Sequence, residues 1–294
     1  MKYCRGILCV VAAYGLLQAA PIPTYRFEII QPPGTSGSAT ALNNSGAVLV
    51  SVGEDTYVFR NGRYTLLKDP HGNSVGGLGI NTRGTIVGFT TDAENRDAVP
   101  FVLTRSGDFI TSGFPDGLFA TGINDRGDIV GGGFGGSFIR YVNGAVETFQ
   151  YQSDPNTYAY AINNRRQAAV QIWKPFWTDS YIREPDGTFT YVDIPGSIDT
   201  QVFGINDFGD VSGGMTDDSG AHGFVRHWYG AVSILDVPGA RATSVWGIND
   251  WGQVAGLAVL RDNEQYVAFL ATPDWQVREG SRYLKSKDVR IHQR

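Results

Sequence analysis

Residues 246–256 read WGINDWGQVAG, and the same pattern stands at 203–213 (FGINDFGDVSG), 121–131 (TGINDRGDIVG) and 78–88 (LGINTRGTIVG). Weaker copies around Asn43 and Asn163 complete a set of six anchors: Asn43, Asn81, Asn124, Asn163, Asn206 and Asn249. Their spacings are 38, 43, 39, 43 and 43 residues. A fixed period of this size is the signature of a repeat architecture. Each copy has the same internal order. A short apolar strand ends in a small residue, then Ile or Leu, then the Asn; a turn leads to a second strand such as DIVGG. After a loop of variable length come a third strand such as SFIRY, a Gly-containing turn and a fourth strand such as TFTYVDI. Four short strands per forty-odd residues is the period of a β-propeller blade. No stretch has a sustained 3.6-residue apolar period, so no helix is expected.

The repeated element is turn chemistry. An Asn side chain can accept a hydrogen bond from the backbone N–H two residues on. A Gly three residues after the Asn can take the positive φ of a type I turn with a G1 bulge. Gly46, Gly84, Gly127, Gly209 and Gly252 fill that slot, whereas the fourth copy puts Arg166 there. The pairs Asn81/Gly84, Asn124/Gly127, Asn206/Gly209 and Asn249/Gly252 are therefore structural turn residues. A ring of acids is the competing reading, but only Asp125, Asp207 and Asp250 follow the Asn; the other copies have Asn44, Thr82 and Asn164. One turn explains all six copies.

The chain ends carry a closure signal. The sixth copy stops after its third strand, at QYVAFLATPD, while YRFEIIQPPGTSGSATALNN at the start has the layout of AVSILDVPGARATSVWGIND. Residues 25–31 are thus a fourth strand without a blade of their own, suited to pair beside residues 267–272. The expected fold is all-β, a six-bladed propeller over residues 21–274, closed by an N-terminal strand that completes the last blade. Closure removes the exposed strand edges an open array would keep.

Composition agrees: 294 residues, 38 Gly, 12% aromatic and only 18% charged, as many short strands and tight turns require. Residues 1–20 stand apart, with a basic start at Lys2 and Arg5, an apolar run from Ile7 to Leu17, and small residues at Ala19 and Ala20. That is the three-part pattern of a secretory signal peptide, too short for a stable membrane span. Cleavage after Ala19 or Ala20 would remove both cysteines, Cys4 and Cys9. Disulfides and thiol catalysis are then not expected in the mature chain. Loss of Lys2 and Arg5 takes the net charge from −5 to −7. Residues 275–294 form a basic tail, with Arg278, Arg282, Lys285, Lys287, Arg290 and Arg294 against Glu279 and Asp288, and are expected to be disordered. The acidic body argues against nucleic-acid binding.

The GINDxGxVxG units, with HGFVRHW at 222–228 and LDVPGARATSVWGIND at 235–250, resemble the HAF-repeat proteins, exported bacterial proteins with tandem repeats of this length. The resemblance covers roughly residues 25–273. It implies an extracellular or cell-surface protein. Only His222-Gly223-Phe224 approaches the His-Ala-Phe of the family name, so this His is not a repeated functional group. The terminal SRYLKSKDVRIHQR is not a sorting anchor, and release into periplasm or medium is expected.

Chemistry-bearing motifs are few. His71, His222, His227 and His292 show no zinc-ligand spacing, and there is no GxSxG elbow or phosphate loop. Function is expected on the loops joining second to third strands, which vary most in length. WKPFWTD offers Trp173, Phe176 and Trp177 for stacking on sugar rings; burial between blades is the commoner fate of such aromatics. His222 is a further candidate ligand contact. Asp92, Glu94, Asp97, Asp217 and Asp218, with Asp262 and Glu264, could offer oxygens to Ca2+, though their spacing matches no calcium motif and solvated loops are the plainer reading. The expected function is a secreted, monomeric, non-catalytic binding propeller without a required cofactor, with a glycan or an envelope or extracellular protein as partner. The alternative is a hydrolase or lyase acting on extracellular polysaccharide, with carboxylates at the channel mouth.

Overall fold

The computed structural model describes residues 22–91, 98–262 and 264–274. Among these are 24 β-strands and no helix. The chain is all-β and propeller-like: six repeats, numbered 1 to 6 in the order of their anchors Asn43, Asn81, Asn124, Asn163, Asn206 and Asn249, each led by an inner strand. The inner strands are Ser38–Leu42, Gly76–Ile80, Leu118–Ile123, Thr157–Ile162, Asp199–Ile205 and Ala240–Ile248. The proposed signal peptide and basic tail lie outside the described residues.

Sheet hydrogen bonding departs from six separate sheets. Repeats 1 to 4 each form one four-stranded antiparallel sheet, and the remaining strands form a single sheet of eight. The cause is one parallel pairing, Ala221 with Ala242, which joins the strands of repeat 5 to the long inner strand of repeat 6. Within repeat 6 the outermost strand is N-terminal: Thr24–Ile29 pairs antiparallel with Tyr266–Asp274, from Thr24 opposite Asp274 to Ile29 opposite Phe269.

Apolar side chains fill the spaces between neighbouring repeats. Among the described residues the core divides into six clusters, each spanning two consecutive repeats. One of them packs Ile30, Ala255 and Ala268 of the last repeat against Leu42, Val48 and Val50 of the first. In repeats 2, 3, 5 and 6 a third-strand Phe (Phe101, Phe138, Phe224, Phe269) is fully buried opposite a second-strand Gly. In repeats 1 and 4 the second-strand residue is Val rather than Gly, and Val50 and Val170 face Tyr57 and Tyr181.

At the axis the asparagines join the repeats. Asn43 Nδ2 donates to the Asn81 carbonyl at 2.8 Å, and Asn81 to Asn124 at 3.2 Å. Asn124 donates to Asn163 at 3.0 Å, Asn163 to Asn206 at 2.9 Å, and Asn206 to Asn249 at 3.3 Å. Asn249 then donates to Asn43 at 3.2 Å, so the ring closes on itself. Within its own turn each Asn Oδ1 accepts backbone N–H groups; for Asn124 these are Arg126 and Asp128, at 3.0 and 2.9 Å. The second amide proton of Asn124, Asn163, Asn206 and Asn249 goes to the side chain four residues on. In the six turns the residue three after the Asn donates its N–H back to the Asn carbonyl and has φ between 65° and 93°.

Arg166 adopts that geometry too, at φ 65°. Left-handed backbone costs a non-Gly residue about 1 kcal/mol. Here the side chain has compensating contacts: Nε donates at 2.8 Å to the buried Asp128 of repeat 3, and the guanidinium lies 4.9 Å from the Tyr141 ring centre. Burial alone would raise the Asp128 carboxyl; Arg166, the Val142 N–H and the Asn124 amide outweigh it and hold it below the usual carboxylate range. The small residue two before each Asn is required by crowding at the axis. A Cβ on Gly122 would stand 2.8 Å from the Tyr160 carbonyl and 2.9 Å from Ala161 Cα.

The asparagine ring predicts the effect of an isosteric change. Asn124→Asp removes both donors and sets a carboxylate against the Asn163 carbonyl and the Asp128 carboxylate. Unpaired buried polar groups cost about 1–3 kcal/mol each, so urea unfolding at pH 7 should show a loss of at least about 2 kcal/mol. A change below about 0.5 kcal/mol would contradict this role for the amide.

Candidate functional site

The inner strands enclose a channel whose lining follows from a bulge. In every repeat the pairing of first and second strands skips one residue, three before the Asn. A bulge re-aims the side chain it releases. The released residues are Thr40, Leu78, Thr121, Tyr160, Phe203 and Trp246, and all six line the channel. Below them Leu42, Ile80, Ile123, Ile162, Ile205 and Ile248 form a waist shared by two mouths, of ≈ 190 Å³ and ≈ 70 Å³.

The wider mouth is asymmetric. Thr40 and Thr121 turn their hydroxyls onto the Gly77 and Ala159 carbonyls of the next repeat. Repeats 4 to 6 contribute an aromatic wall: Tyr160 meets Phe203 edge-on at 5.3 Å, and Phe203 meets Trp246 at 6.0 Å. Trp246 Nε1 donates to Ser244 Oγ at 3.1 Å. Burial pushes the Tyr160 hydroxyl up to about 12, so it is a proton donor across the physiological range. Outward from Tyr160, Trp173 stacks on Tyr158 at 4.8 Å and donates Nε1 to Gln171 Oε1. Gln171 is buried and anchored by Nε2 to the Val202 carbonyl of repeat 5. The indole is thus held in place from below.

Trp173, Phe176 and Trp177 are 50%, 91% and 53% exposed, which corrects the expectation that they are buried between blades. The loop 174–177 turns them outward: Lys174 N–H donates to the Trp177 carbonyl, and Lys174 Nζ reaches the Asp154 carboxylate. On the same side of the fold, Phe134 at the tip of the repeat 3 hairpin is 87% exposed. Sequence reasoning missed Tyr158, Tyr160, Phe203 and Trp246. The only available signal is that the position three before the Asn is aromatic in three consecutive repeats.

The narrow mouth is polar. The N–H of Thr82 donates to Asp125, that of Asp125 to Asn164, and that of Asn164 to Asp207. The series continues from Asp207 to Asp250 and from Asp250 to Asn44. Each carboxylate is therefore an acceptor in a collar that ties neighbouring turns. Burial raises the Asp250 carboxyl, and Asp207 and Asp125 add to it against the Asp207 N–H and the Asn44 amide. The ≈ 70 Å³ opening holds about two water molecules at liquid density. Its carboxylates are already acceptors for the N–H groups of neighbouring turns.

His222 lies in the repeat 5 hairpin on the aromatic side, outside the channel lining. Its Nδ1 is 2.8 Å from Asp236 Oδ1 and its Nε2 is 2.9 Å from Ser219 Oγ. Those distances match a nucleophile–base–acid relay. Ser219 Oγ also lies 2.6 Å from Asp217 Oδ1, so its one proton goes to that carboxylate or to Nε2, according to the imidazole tautomer. In its protonated form the imidazole is a clamp between Asp236 and Asp217. The same Asp217 Oδ1 accepts the Ser219 and Gly220 N–H groups, while Asp218 is exposed at the tip. Among the described residues no group of three His, Cys, Asp or Glu side chains is arranged to hold a metal ion. Asp92, Glu94 and Asp97 lie outside the described residues; Asp262 and Glu264 flank another hairpin.

Asp236 chiefly, with Asp217, raises the His222 pKa above its ordinary 6.5 despite partial burial. A raised folded-state value means that the clamp's stability is fully present below pH 6.5 and is lost as pH climbs through the folded value. Wild type should therefore exceed His222→Gln in stability at pH 5.5 by up to about 1 kcal/mol, the range for exposed pairs, and the gap should close by pH 8.5. Paired denaturation curves check this; a gap that is constant or widens with pH contradicts the clamp.

No protein-family model matches the chain, and no curated protein matches it. Its likeness is to solved structures. A TolB-type protein from Agrobacterium tumefaciens is similar with a TM-score of 0.57 and 10% identity, over 87% of this chain and 99% of that one. TolB from Acinetobacter baumannii gives 0.51 and 10%, over 86% of this chain and 64% of that one. Regucalcin from Agrobacterium tumefaciens, a calcium-binding protein, gives 0.51 and 12%, over 88% and 100%. At these identities the likeness concerns the fold alone, and it is to propeller proteins.

Proposed function

We propose that this chain is a secreted, monomeric binding propeller of the HAF-repeat type that takes a glycan at its aromatic mouth and does no chemistry on it. The observation that carries the reading is the continuous wall of Tyr160, Phe203 and Trp246 beside the Tyr158–Trp173 stack. Aromatic faces attract the weakly positive C–H groups of sugar rings, and a concave apolar site with a few fixed polar groups is the usual form of a ligand pocket. Tyr160 supplies such a group at the mouth, while Gln171 beneath holds the Trp173 indole in place. Phe176 and Trp177 at the rim would extend contact to further sugar units.

The blade count belongs to the same reading. The eight-stranded sheet is read as two blades in contact at one residue pair, giving six in all; the six-membered asparagine ring and the six inter-repeat clusters support that count. Secretion rests on the N-terminal pattern of residues 1–20. Among the described residues no helix is long and apolar enough to cross a membrane, which says nothing of strand-built spans.

Thermal shift and calorimetry against a panel of neutral and acidic oligosaccharides test the proposal. At 100 times its Kd, a ligand specific for the folded state stabilises by about 2.7 kcal/mol. The expected result is a sugar-specific rise that Trp246→Ala and Trp173→Ala each reduce at least about tenfold in affinity. A flat panel, or a rise that both variants retain in full, would overturn the glycan assignment.

A further inference from the structure

The opposite face of the ring, which carries the asparagine turns and the turns between third and fourth strands, has a second feature of a different kind. Arg60 and Arg63 are directly paired across the hairpin closed by Asn61-Gly62, both of which have positive φ. Directly opposed residues of an antiparallel pair project to the same side of the sheet. The next pair on that side, Val58 with Thr65, forms the floor beneath them. Arg105 and Gly84, from two turns of repeat 2, face them across a groove of ≈ 770 Å³.

This arrangement of charge has no internal compensation. Like charges directly opposite one another in a sheet are destabilising. Arg60, Arg63 and Arg105 are exposed, and among the described residues none of them enters an ion pair. The carboxylate in the turn of Arg105, Asp108, is turned onto the hydroxyls of Thr104 and Ser106 instead. Elsewhere on the same face Arg166 and Arg183 do have carboxylate partners, Asp128 and Glu147. In a chain of 29 acidic and 24 basic residues, carboxylates to neutralise this groove are plentiful, yet among the described residues none lines it.

We infer that the groove between repeats 1 and 2 is a binding site for a phosphate group, held by Arg60, Arg63 and Arg105. The planar guanidinium fork matches the oxygens of phosphate two at a time. Three such forks suit a group of charge near −2, a free phosphate or a phosphate monoester, better than a single carboxylate. The Thr65 hydroxyl adds a neutral donor at the floor, and Gly84 leaves the opposite wall without a side chain. The site is on the other face from the aromatic mouth and does not depend on a glycan binding there.

Calorimetric titration of the full chain with inorganic phosphate and with methyl phosphate tests this, with sodium chloride at matched ionic strength as the control. Saturable binding is expected, weakened about tenfold or more in Arg63→Gln and in Arg105→Gln. Arg63→Gln should melt no lower than wild type without phosphate, because it relieves a like-charge pair; loss of binding then cannot be loss of fold. Binding of both probes assigns recognition to the terminal phosphate of a monoester, and binding of inorganic phosphate alone assigns it to the free ion. No saturable binding of either probe beyond the salt control, or binding unchanged in both variants, overturns the site.

Discussion

The amide of one asparagine per repeat, donated sideways to the next turn, is the constraint on which the rest of this structure depends. A carboxamide has two donors and two acceptor lone pairs. Here the oxygen builds the turn and the nitrogen leaves it, to the Asn carbonyl of the neighbouring repeat. No other side chain of this size does both. Aspartate would build the same turn and fail to link it, and serine would lack the reach. Because every turn both donates and accepts, six of them can close only as a ring, and the last bond, Asn249 to Asn43, joins residues 206 apart in sequence.

The ring sets what can vary without cost to the fold. The row before the Asn is Ile or Leu throughout and seals the waist. The row three before it is released by a bulge and is free of ladder duty, so it carries Thr, Leu, Thr, Tyr, Phe and Trp in turn. The row after the Asn is polar and caps the turn beside it. Each layer of the channel is thus one sequence position read around six repeats, and the asymmetry of the wider mouth arises in one row. The charges on the two faces are arranged differently: on the loop face Asp154 pairs with Lys174, and Asp217 and Asp236 flank His222, while the turn face carries, besides the paired Arg166 and Arg183, three arginines, Arg60, Arg63 and Arg105, that enter no ion pair among the described residues.

The period, the strand order and the all-β class were legible because they recur: a 38- to 43-residue spacing and an Asn-x-x-Gly turn are local patterns. What joins the repeats was not legible. A bond from Asn43 to Asn81 looks, in sequence, no different from a turn residue satisfied by its own backbone. The parallel contact of Ala221 with Ala242 depends on how far an inner strand extends beyond its partner, and no residue pattern marks that. Trp173, Phe176 and Trp177 were found by composition but given the wrong degree of burial, because exposure depends on the loop 174–177 bending outward. Arg166 was visible as a misfit. Its resolution, an ion pair to Asp128 of another repeat, was not, since it links positions 38 apart. The aromatic row was hidden by the bulge, which places on the channel residues that strict alternation would put elsewhere.

Hydrogen exchange of the six asparagine side-chain amides, followed by ¹⁵N NMR, tests the central claim most directly. If each Nδ2 closes the ring, all six should exchange as slowly as the core strand amides, with free energies near that of global unfolding. Fast exchange of these carboxamides, while the flanking backbone stays protected, would mean that apolar packing between repeats holds the ring and the asparagines only shape their own turns.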